Sequence, residues 1–372
     1  MFAAYPGDLV FSKIDARNGA IGLIPLSIPK AVVTSEYPVF TPRADKLRPE
    51  YLRHLLRADH FKADLQRKAS GTSGRKRVTS ERFLSLEIPV PSLKEQDALI
   101  TAYTDALTRA AALEQEADAI ERAGWQAFEA ALGVAPPPPL PDRPVFVARF
   151  KDVERWSHDG ILRSTLGRAL ASHGVSTEPL GNVLLEVRHG CSKGPSKTPT
   201  TLRVLKISAV TKGRLDSDEY KFIADAPALR EQFALKTGDV LMCRTNGTLA
   251  YVGMSALVET DIDNMIFPDK VIRVRPDLSR IAPGFLWRLL QLPVMRNQIE
   301  ATTRTAVGNF AIGGKDIKAL MVPIPSVDQQ KTLAQALSDA VASSKNKRAE
   351  ATNLRQSAWA AFESALFITS VV

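Results

Sequence analysis

Apolar residues three or four positions apart run through two long stretches of the chain, at 93–133 and 326–367. The clearest of them are Leu99, Tyr103, Leu107, Trp125 and Phe128 in the first stretch, and Leu333, Leu337, Trp359 and Phe362 in the second. This spacing places apolar side chains on one face of an α-helix. Each stretch therefore predicts a long amphipathic helix. Since such faces need a partner, we expect the two helices to pack on each other in antiparallel orientation.

Both stretches belong to a longer internal repeat. "WQAFEAALG" (125–133) matches "WAAFESALF" (359–367). Three pairs of segments before them match in the same order along the chain: "PGDLVFSK" (6–13) with "TGDVLMCR" (237–244), "PEYLRHLLRAD" (49–59) with "APGFLWRLLQLP" (282–293), and "LEIPVPSLKEQ" (86–96) with "LMVPIPSVDQQ" (320–330). Ordered similarity at a nearly constant offset indicates a duplicated structural unit. The chain is therefore predicted to contain two related globular parts.

The start of each long helix follows one pattern. Pro91 and Pro325 favour extended chain, and the serine after each proline can act as an N-cap. Glu95 and Gln329 stand three residues after Ser92 and Ser326, which is the spacing of a capping box. Both helices are thus predicted to begin by the same mechanism.

Net charge is unevenly distributed along the chain. Residues 1–92 carry +6 and residues 134–325 carry +7, whereas residues 93–133 carry −5 and residues 326–372 carry +1. Two basic parts separated by non-basic helices favour a polyanion contacted at two places. The alternative from charge alone is an ordinary basic surface that keeps the protein soluble.

Other classes of function have little support in the residues. The cysteines Cys191 and Cys243 are too far apart for a CxxC pair, and the five histidines form no metal-binding constellation, so no metal or cofactor is expected. A glycine-rich cofactor loop and an Asn/Asp-Pro-Pro-aromatic motif are both missing, which argues against an adenine methyltransferase. No apolar run reaches the length of a spanning helix, and the simplest interpretation is a cytoplasmic protein.

The ordered set of motifs resembles the specificity subunit of type I restriction-modification systems. The segments that carry the resemblance include "GDLVFSKIDARNGAIGLIP", "GRKRVTSERFLSLEIPVPSLKEQ", "RVLKISAVTKGRLDSDEY", "GDVLMCRTNGTLAYVG" and "FPDKVIRVRP". The resemblance implies a mixed α/β fold with two target-recognition domains joined by two long antiparallel helices. It also implies that each domain reads half of a bipartite double-stranded DNA site. In this family the helices dock the DNA methyltransferase subunits, a restriction/translocase subunit completes the complex, and the specificity subunit itself is not an enzyme.

The resemblance divides the chain into five parts. We expect the C-terminal half of a first recognition domain at 1–92, helix 1 at 93–133, a Pro-rich linker at 134–144, a second recognition domain at 145–325, and helix 2 at 326–367. Only six residues precede Gly7, whereas about 93 residues of the second unit precede Gly238. The first domain is therefore expected to be truncated at its N-terminus and to expose core.

Candidate DNA contacts are cations and amides in predicted loops and turns. In the first part they are Lys13, Arg17, Asn18, Arg75, Lys76 and Arg77; in the second they are Lys193, Lys197, Arg203, Lys206, Lys212, Arg214, Arg244, Thr245 and Asn246. The segment containing Lys193 and Lys197 is expected to be a mobile loop, and residues 244–246 a polar turn. Arginine can read guanine and asparagine can read adenine, while lysine mainly contacts phosphate. Any single one of them could instead be a solvated surface residue.

The helices also carry features with two interpretations. Glu114, Glu116, Asp118 and Glu121 favour a solvated face over a docking surface for a basic partner. The repeated Trp and Phe residues favour core packing at the helix pair over an exposed partner site. Two further hypotheses stay open for the whole protein: a coiled-coil scaffold that binds acidic partners rather than DNA, and a degenerate remnant that still binds methyltransferase.

Overall fold

The computed structural model describes residues 1–69, 77–134, 174–306 and 308–368, together with the single residues 145, 147 and 161. Its contacts divide the chain into two units. Unit 1 comprises residues 1–119 and 343–372, and unit 2 comprises residues 120–342. Each unit therefore contains a part of both long helices.

Unit 1 is an antiparallel sheet covered by helices. Its elements are β1 (Phe2–Ala4), β2 (Leu9–Phe11), β3 (Ile21–Leu23), β4 (Ala31–Val33), β5 (Val39–Phe40), α1 (Pro49–Leu55), α2 (Asp59–Lys68), α3 (Ser80–Leu84) and the first part of α4 (Leu93–Ala131). The strands form a sheet of order β3-β2-β5 and a separate pair β1-β4. Leu9 and Phe11 alternate with Val10, so one face of β2 enters the core with Tyr51 and Leu55 of α1.

Unit 2 repeats this arrangement and adds to it. Its elements are β6 (Thr177–Pro179), β7 (Leu184–His189), β8 (Arg203–Leu205), β9 (Tyr220–Phe222), α5 (Pro227–Phe233), β10 (Val240–Cys243), β11 (Thr245–Asn246), β12 (Ser255–Leu257), β13 (Met265–Ile266), β14 (Val271–Pro276), α6 (Pro283–Leu289), α7 (Pro293–Thr302), β15 (Arg304–Ala306), β16 (Asn309–Ala311), α8 (Gly314–Lys318), β17 (Met321–Pro323) and the start of α9 (Val327–Ile368). The main sheet has the order β12-β10-β14-β7 and is antiparallel.

The sheet of unit 2 has a core on each face. In β10, Val240 and Met242 belong to the cluster that contains the helices, whereas Leu241 and Cys243 belong to a second cluster built mainly from residues 191–235 and 256–271. Successive side chains of a strand point to opposite faces, so β10 is buried on both sides. The described part of unit 1 has one such cluster.

The Gly-Asp turn has the same hydrogen bonds in both units. Gly7 N donates to Ile24 O at 3.0 Å, and Gly238 N donates to Val258 O at 2.8 Å. Both glycines have positive φ, +87° and +91°, which is the left-handed region that favours glycine. The aspartates that follow are buried and accept hydrogen bonds from the backbone three residues upstream, at Tyr5 N and Lys236 N. The turn is therefore one structural element used twice.

A buried glutamine near the start of each long helix makes three matching contacts. Gln96 Oε1 accepts from Arg48 N at 2.8 Å, while its Nε2 donates to Lys46 O and Pro91 O. Gln330 has the same three kinds of partner: Ala282 N at 2.8 Å, Arg280 O and Pro325 O. Both side chains are fully buried. Each glutamine therefore joins a long helix to the chain entering α1 or α6.

The predicted capping boxes form at both helix starts. Glu95 Oε2 accepts from Ser92 N at 2.8 Å, and Ser92 Oγ accepts from Glu95 N at 3.3 Å. Ser326 and Gln329 make the same pair of contacts at 3.1 and 3.4 Å. The hydrogen bonds from Ser92 hold the pKa of Glu95 below its usual value. Both helices satisfy their first N–H groups locally.

The two long helices pack against each other in antiparallel orientation. In unit 1, Ala110, Ala117, Ser344 and Ala351 are fully buried, and residues this small let two helices approach closely. In unit 2, Gly124 occupies the next heptad position, where a Cβ would lie 2.7 Å from Ala340 Cβ. The predicted helix pair and its orientation are confirmed.

The acidic residues of α4 face cations on α9. Arg355 Nη2 donates to Glu114 Oε2 at 2.7 Å, Lys347 Nζ to Glu116 Oε2 at 2.6 Å, and Arg348 Nη2 to Asp118 Oδ1 at 2.8 Å. The pKa of Glu114 is lowered, mainly by the hydrogen bond from Arg355. Glu116 and Asp118 are exposed, as a solvated face requires, and Glu114 is half-buried. All three also make ion pairs between the helices, which neither sequence interpretation included.

Each long helix begins in one unit and ends in the other. The aromatic residues near the end of each helix pack in the unit where the helix ends. Trp359 and Phe362 of α9 pack in unit 1, where the Phe362 ring lies 5.8 Å from the Tyr103 ring and 6.1 Å from the Tyr51 ring. Phe128 of α4 packs in unit 2, 5.7 Å from the Phe285 ring. Each unit is thus completed by the last turns of the helix that starts in the other.

Candidate nucleic-acid interface

Lys193 and Lys197 stand on an exposed loop whose ends are fixed. Cys191 N donates to Phe267 O at 2.8 Å, and Ser196 N donates to Phe222 O at 2.8 Å. Gly190 is packed so tightly that a Cβ there would collide with the Pro268 carbonyl. The segment predicted as a mobile loop is therefore fastened to β9 and to the chain before β14. Both lysines are exposed, and they have no ion pair among the described residues.

The neighbouring hairpin of β8 and β9 holds cations that already have partners. Lys206 Nζ lies 3.1 Å from Glu219 Oε2, and this contact is the main cause of the lowered pKa of Glu219. The Arg203 guanidinium lies 5.1 Å from the centre of the Tyr220 ring and donates to Asp263 O at 3.2 Å. Either residue would have to exchange a contact within the protein for one with DNA.

The turn between these strands presents one paired and one unpaired cation. Lys212 Nζ lies 3.0 Å from Asp216 Oδ2, and its hydrogen bond is the first cause of the lowered pKa of Asp216. Gly213 has φ +72°, which turns the chain sharply before Arg214. Arg214 is exposed and has no ion pair within the described part of the chain. Together with Lys193 and Lys197, it belongs to the segment that forms the second core of unit 2.

Residues 244–246 do not form the polar turn that the sequence suggested. Thr245 and Asn246 are strand β11, which pairs with Phe310 and Ala311 of β16. Arg244 is half-buried, and its Nη1 donates to Asp269 O at 2.9 Å. Burial, and then the nearby positive charge of Arg244, lower the pKa of His189. Residues 244–246 are therefore half-buried and bonded within the fold, whereas Lys193 and Lys197 are exposed.

Two of the unit 1 candidates that the structure describes, Lys13 and Arg77, contact Glu36. Lys13 N donates to Glu36 O at 3.0 Å, Val78 N donates to Lys13 O at 2.8 Å, and Arg77 Nη1 lies 3.3 Å from Glu36 Oε1. Asn18 is exposed and its amide donates to Asp15 Oδ1 at 3.4 Å. Arg75, Lys76 and the side chain of Arg17 lie outside the described residues.

The helix residues predicted as a helix-pair or partner site lie mostly in the cores. Tyr103, Leu99 and Trp359 are half-buried against the unit 1 cluster, and Trp125 and Leu333 against the unit 2 cluster. Phe128, Phe362 and Leu337 are at most 2% exposed, while Leu107 is half-buried. Within the described residues, none of the helices is long and apolar enough to cross a bilayer, and no group of His, Cys, Asp or Glu is arranged to hold a metal ion.

Comparison with known proteins shows what the chain is similar to. Residues 4–122 match the model of the type I restriction modification DNA specificity domain. The chain is also similar to the type I restriction enzyme EcoKI specificity subunit of Escherichia coli strain K12, with 24% identity over 296 residues, which are 78% of this chain and 59% of that protein. These matches support a type I restriction-modification specificity subunit. This chain spans less than two thirds of the length of that Escherichia coli specificity subunit.

Solved structures from type I restriction-modification systems share the fold. A chain from the structure titled "Structural basis underlying complex assembly and conformational transition of the type I R-M system" superposes with a TM-score of 0.61 at 16% identity, covering 98% of this chain and 82% of that one. The crystal structure of the HsdS subunit from Thermoanaerobacter tengcongensis gives 0.52 at 16% identity, with 98% and 81% coverage. Two α/β domains joined by long helices are therefore the fold of this chain.

Proposed function

We propose that this chain is the DNA-recognition subunit of a type I restriction-modification complex. Each unit contacts one half of a bipartite duplex site, α4 and α9 set the spacing, and the chain binds methyltransferase and restriction subunits without performing chemistry itself. The main support is the doubled frame, in which a Gly-Asp turn, a buried glutamine and a capped long helix occur twice within one chain of this family. Two similar frames suit two similar half-sites.

The cations that have no ion pair among the described residues are the first candidates for phosphate contacts. Lys193, Lys197 and Arg214 are exposed, so they can contact DNA without breaking a bond in the protein. Arg203, Lys206, Lys212 and Arg244 already have partners, as described above. We therefore assign phosphate contacts to the first three. Base reading would fall to residues that can exchange partners on binding, such as Arg203.

The direct test combines Lys193→Gln, Lys197→Gln and Arg214→Gln in one variant. The matched control removes three exposed helix lysines, in Lys94→Gln, Lys331→Gln and Lys345→Gln, so that net charge changes equally. Affinity for duplex DNA is measured by fluorescence anisotropy across a salt series. Each phosphate contact contributes about 0.9 to the slope of log affinity against log salt, so the loop variant should lose about 2.7. Equal losses in both variants would mean that only net charge matters.

Sequence preference separates DNA recognition from the alternatives. A specificity subunit in complex with its methyltransferase should modify one bipartite sequence, which methylation mapping identifies. A coiled-coil scaffold for acidic partners would show neither the steep salt slope nor a preference over scrambled duplexes. A degenerate remnant would co-purify with methyltransferase yet give no site-specific methylation.

Matched insertions test the role of the helices in spacing. Seven residues are inserted after Ala119 in α4 and seven after Lys345 in α9, which keeps the two antiparallel segments in register. Seven helical residues add about 10 Å at 1.5 Å each, or about three base pairs at a rise of 3.4 Å. The methylated sites should then carry a spacer about three base pairs longer. An unchanged spacer would rule out a role for the helices in setting the distance.

A further inference from the structure

Several connecting segments of unit 2 leave the main sheet at the same end. Cys243, the last residue of β10, pairs with Val271, the first residue of β14. His189, the last residue of β7, pairs with the next residue of β14. The loop that carries Lys193 and Lys197 follows β7 directly, and strand β11 follows β10 after one residue. This end of the sheet therefore presents the lysines together with the chain that continues from β10.

A β-hairpin is fixed to the same end of the sheet. Strands β15 and β16 are antiparallel, and Asn309 pairs with Ala306. Strand β11 pairs with β16, so the hairpin continues the sheet that starts at the end of β10. A Cβ on Gly314 would lie 3.9 Å from His189 Nε2, so the chain after the hairpin also lies beside the end of β7. The hairpin is thus held near two strands of the main sheet.

Asn309 presents an unused amide on this hairpin. The residue is exposed, and its side chain makes no hydrogen bond within the described part of the chain. It lies beside the loop after β11, where a Cβ on Gly247 would be 4.0 Å from Asn309 Oδ1. That loop is held by a hydrogen bond from Thr248 N to Asn246 Oδ1 at 3.0 Å. The Asn309 amide can therefore donate and accept hydrogen bonds without breaking one in the protein.

Arg304 lies at the base of the same hairpin, as the first residue of β15. Its side chain is 82% exposed, and its Nη2 lies 3.4 Å from Asp316 Oδ1. Asp316 Oδ2 also accepts from Gly313 N at 2.9 Å, so this carboxylate keeps a partner if Arg304 moves away. The hairpin therefore carries an exposed cation at its base and a neutral amide near its turn.

The internal repeat places a residue with related binding properties at the matching position of unit 1. Val78 N and Ile312 N each donate to the carbonyl of the cation that ends the Gly-Asp segment, at 2.8 and 3.0 Å. This bond aligns the two segments at an offset of 234 residues, so Asn309 corresponds to Arg75, which lies outside the described residues. Arginine pairs with guanine through two hydrogen bonds, and asparagine pairs with adenine in the same way. One frame with two different side chains at this position suits half-sites of different sequence.

We propose that the hairpin of β15 and β16 enters the major groove and that Asn309 reads an adenine. The inference rests on the proposed DNA function and adds a base-reading residue that needs no exchange of partners within the protein. The major groove admits a two-stranded β-ribbon, and adenine presents there an N7 acceptor beside an N6 donor. Asn309 Nδ2 donates to N7, while its Oδ1 accepts from the N6 amino group. Arg304 contacts a phosphate, which positions the hairpin without reading the sequence.

Binding to duplexes of randomised sequence tests the assignment of Asn309. The chain is purified with the subunits that accompany it from its host, and the bound duplexes are sequenced. Asn309→Ala should lower the preference for adenine at one base pair by about ten-fold or more and leave the other base pairs unchanged. Asn309→Arg should shift the preference at that base pair towards guanine. The matched control, Asn182→Ala, removes an exposed amide before the start of β7 and should change no preference.

Arg304→Gln separates positioning of the hairpin from base reading. It should weaken binding to all duplexes alike and reduce the slope of log affinity against log salt by about 0.9, with the selected sequence unchanged. A changed sequence preference in this variant would overturn the phosphate assignment.

The result for the unmodified chain distinguishes the two levels of the proposal. Unaltered hydrogen exchange in α7 and β16 shows that each variant is folded. If the unmodified chain selects one bipartite sequence and folded Asn309→Ala selects it with equal preference at each base pair, the reading role of Asn309 is overturned while the DNA function stands. Equal weakening of Asn309→Ala on every duplex also overturns that role. If the unmodified chain selects no sequence, both the DNA function and the role of Asn309 fail.

Discussion

Replacing Gln96 by leucine tests whether the buried glutamine joins α4 to the chain before α1. The substitution keeps side-chain size but removes all three hydrogen bonds, so Arg48 N, Lys46 O and Pro91 O lose their partner in a buried site. A buried polar group without a partner costs roughly 1–3 kcal/mol. Allowing for the apolar gain of leucine, we expect the free energy of unfolding of unit 1 to fall by about 4 kcal/mol.

The matching glutamine in unit 2 provides a control for this measurement. Gln330→Leu removes the same three contacts from unit 2, which has a second core and more stability to lose. Hydrogen exchange resolved by mass spectrometry should show faster exchange in α1 and the start of α4 for Gln96→Leu. For Gln330→Leu, the faster exchange should instead appear in α6 and at the start of α9. Urea unfolding of each variant supplies the magnitude.

A carboxylate at the same position adds a pH dependence. In Gln96→Glu, burial and the carbonyls of Lys46 and Pro91 should raise the pKa of the new side chain above its unfolded value. The variant is then least destabilised at low pH, where the acid is protonated and can donate one hydrogen bond, and loses stability as pH rises.

A loss of unfolding free energy below about 1 kcal/mol for Gln96→Leu would refute the reasoning about the buried glutamine. So would a pattern in which both leucine variants loosen the same helices.

Two other changes make separate predictions. Gly124→Ala gains about 1 kcal/mol of helix propensity but places its Cβ 2.7 Å from Ala340 Cβ, so we expect a lower melting temperature. Ala340→Gly should lower the melting temperature of the natural chain and raise that of Gly124→Ala; additive effects would contradict the clash. Burial lowers the pKa of His54 to about 4, so unit 1 should lose up to about 3 kcal/mol as pH falls from about 6.5 to 4. Urea unfolding of His54→Phe should show a flatter pH profile, and an unchanged profile would assign the acid sensitivity elsewhere.

The features that the sequence predicted are those specified by local pattern. Helical spacing, the Pro-Ser-x-x-Glu/Gln starts and the repeated Trp-x-x-Phe ends are each contained within a few turns of chain, and they predicted α4, α9 and their pairing. Gln96 and Gln330 were visible as a repeated letter, yet their partners lie 48 and 50 residues upstream as well as next to the helix. The repeat made this signal available, but a three-way hydrogen-bond set cannot be inferred from one position.

The error at the candidate interface has a similar cause. Residues 244–246 were predicted as a polar turn after the strand, but β16, more than 60 residues later, pairs with Thr245 and Asn246. The exposed face predicted for the acidic residues of α4 holds for Glu116 and Asp118. Their ion pairs were not predicted, because the cations lie about 230 residues away on α9. In both places the sequence lacks the long-range partner. Which exposed cations contact DNA also depends on partners that the sequence alone does not specify.

The crossed ends of the two long helices have a consequence for synthesis. The strands of unit 1 leave the ribosome before unit 2, yet Phe362 and Leu366, both nearly fully buried in unit 1, are made only after unit 2. Contacts this distant in sequence form slowly because a long loop must close before they contribute. The nascent sheet of unit 1 must therefore wait, with Tyr51 and Tyr103 uncovered by Phe362, until α9 has been translated. Folding of unit 1 therefore depends on residues translated after unit 2 and cannot be completed before them.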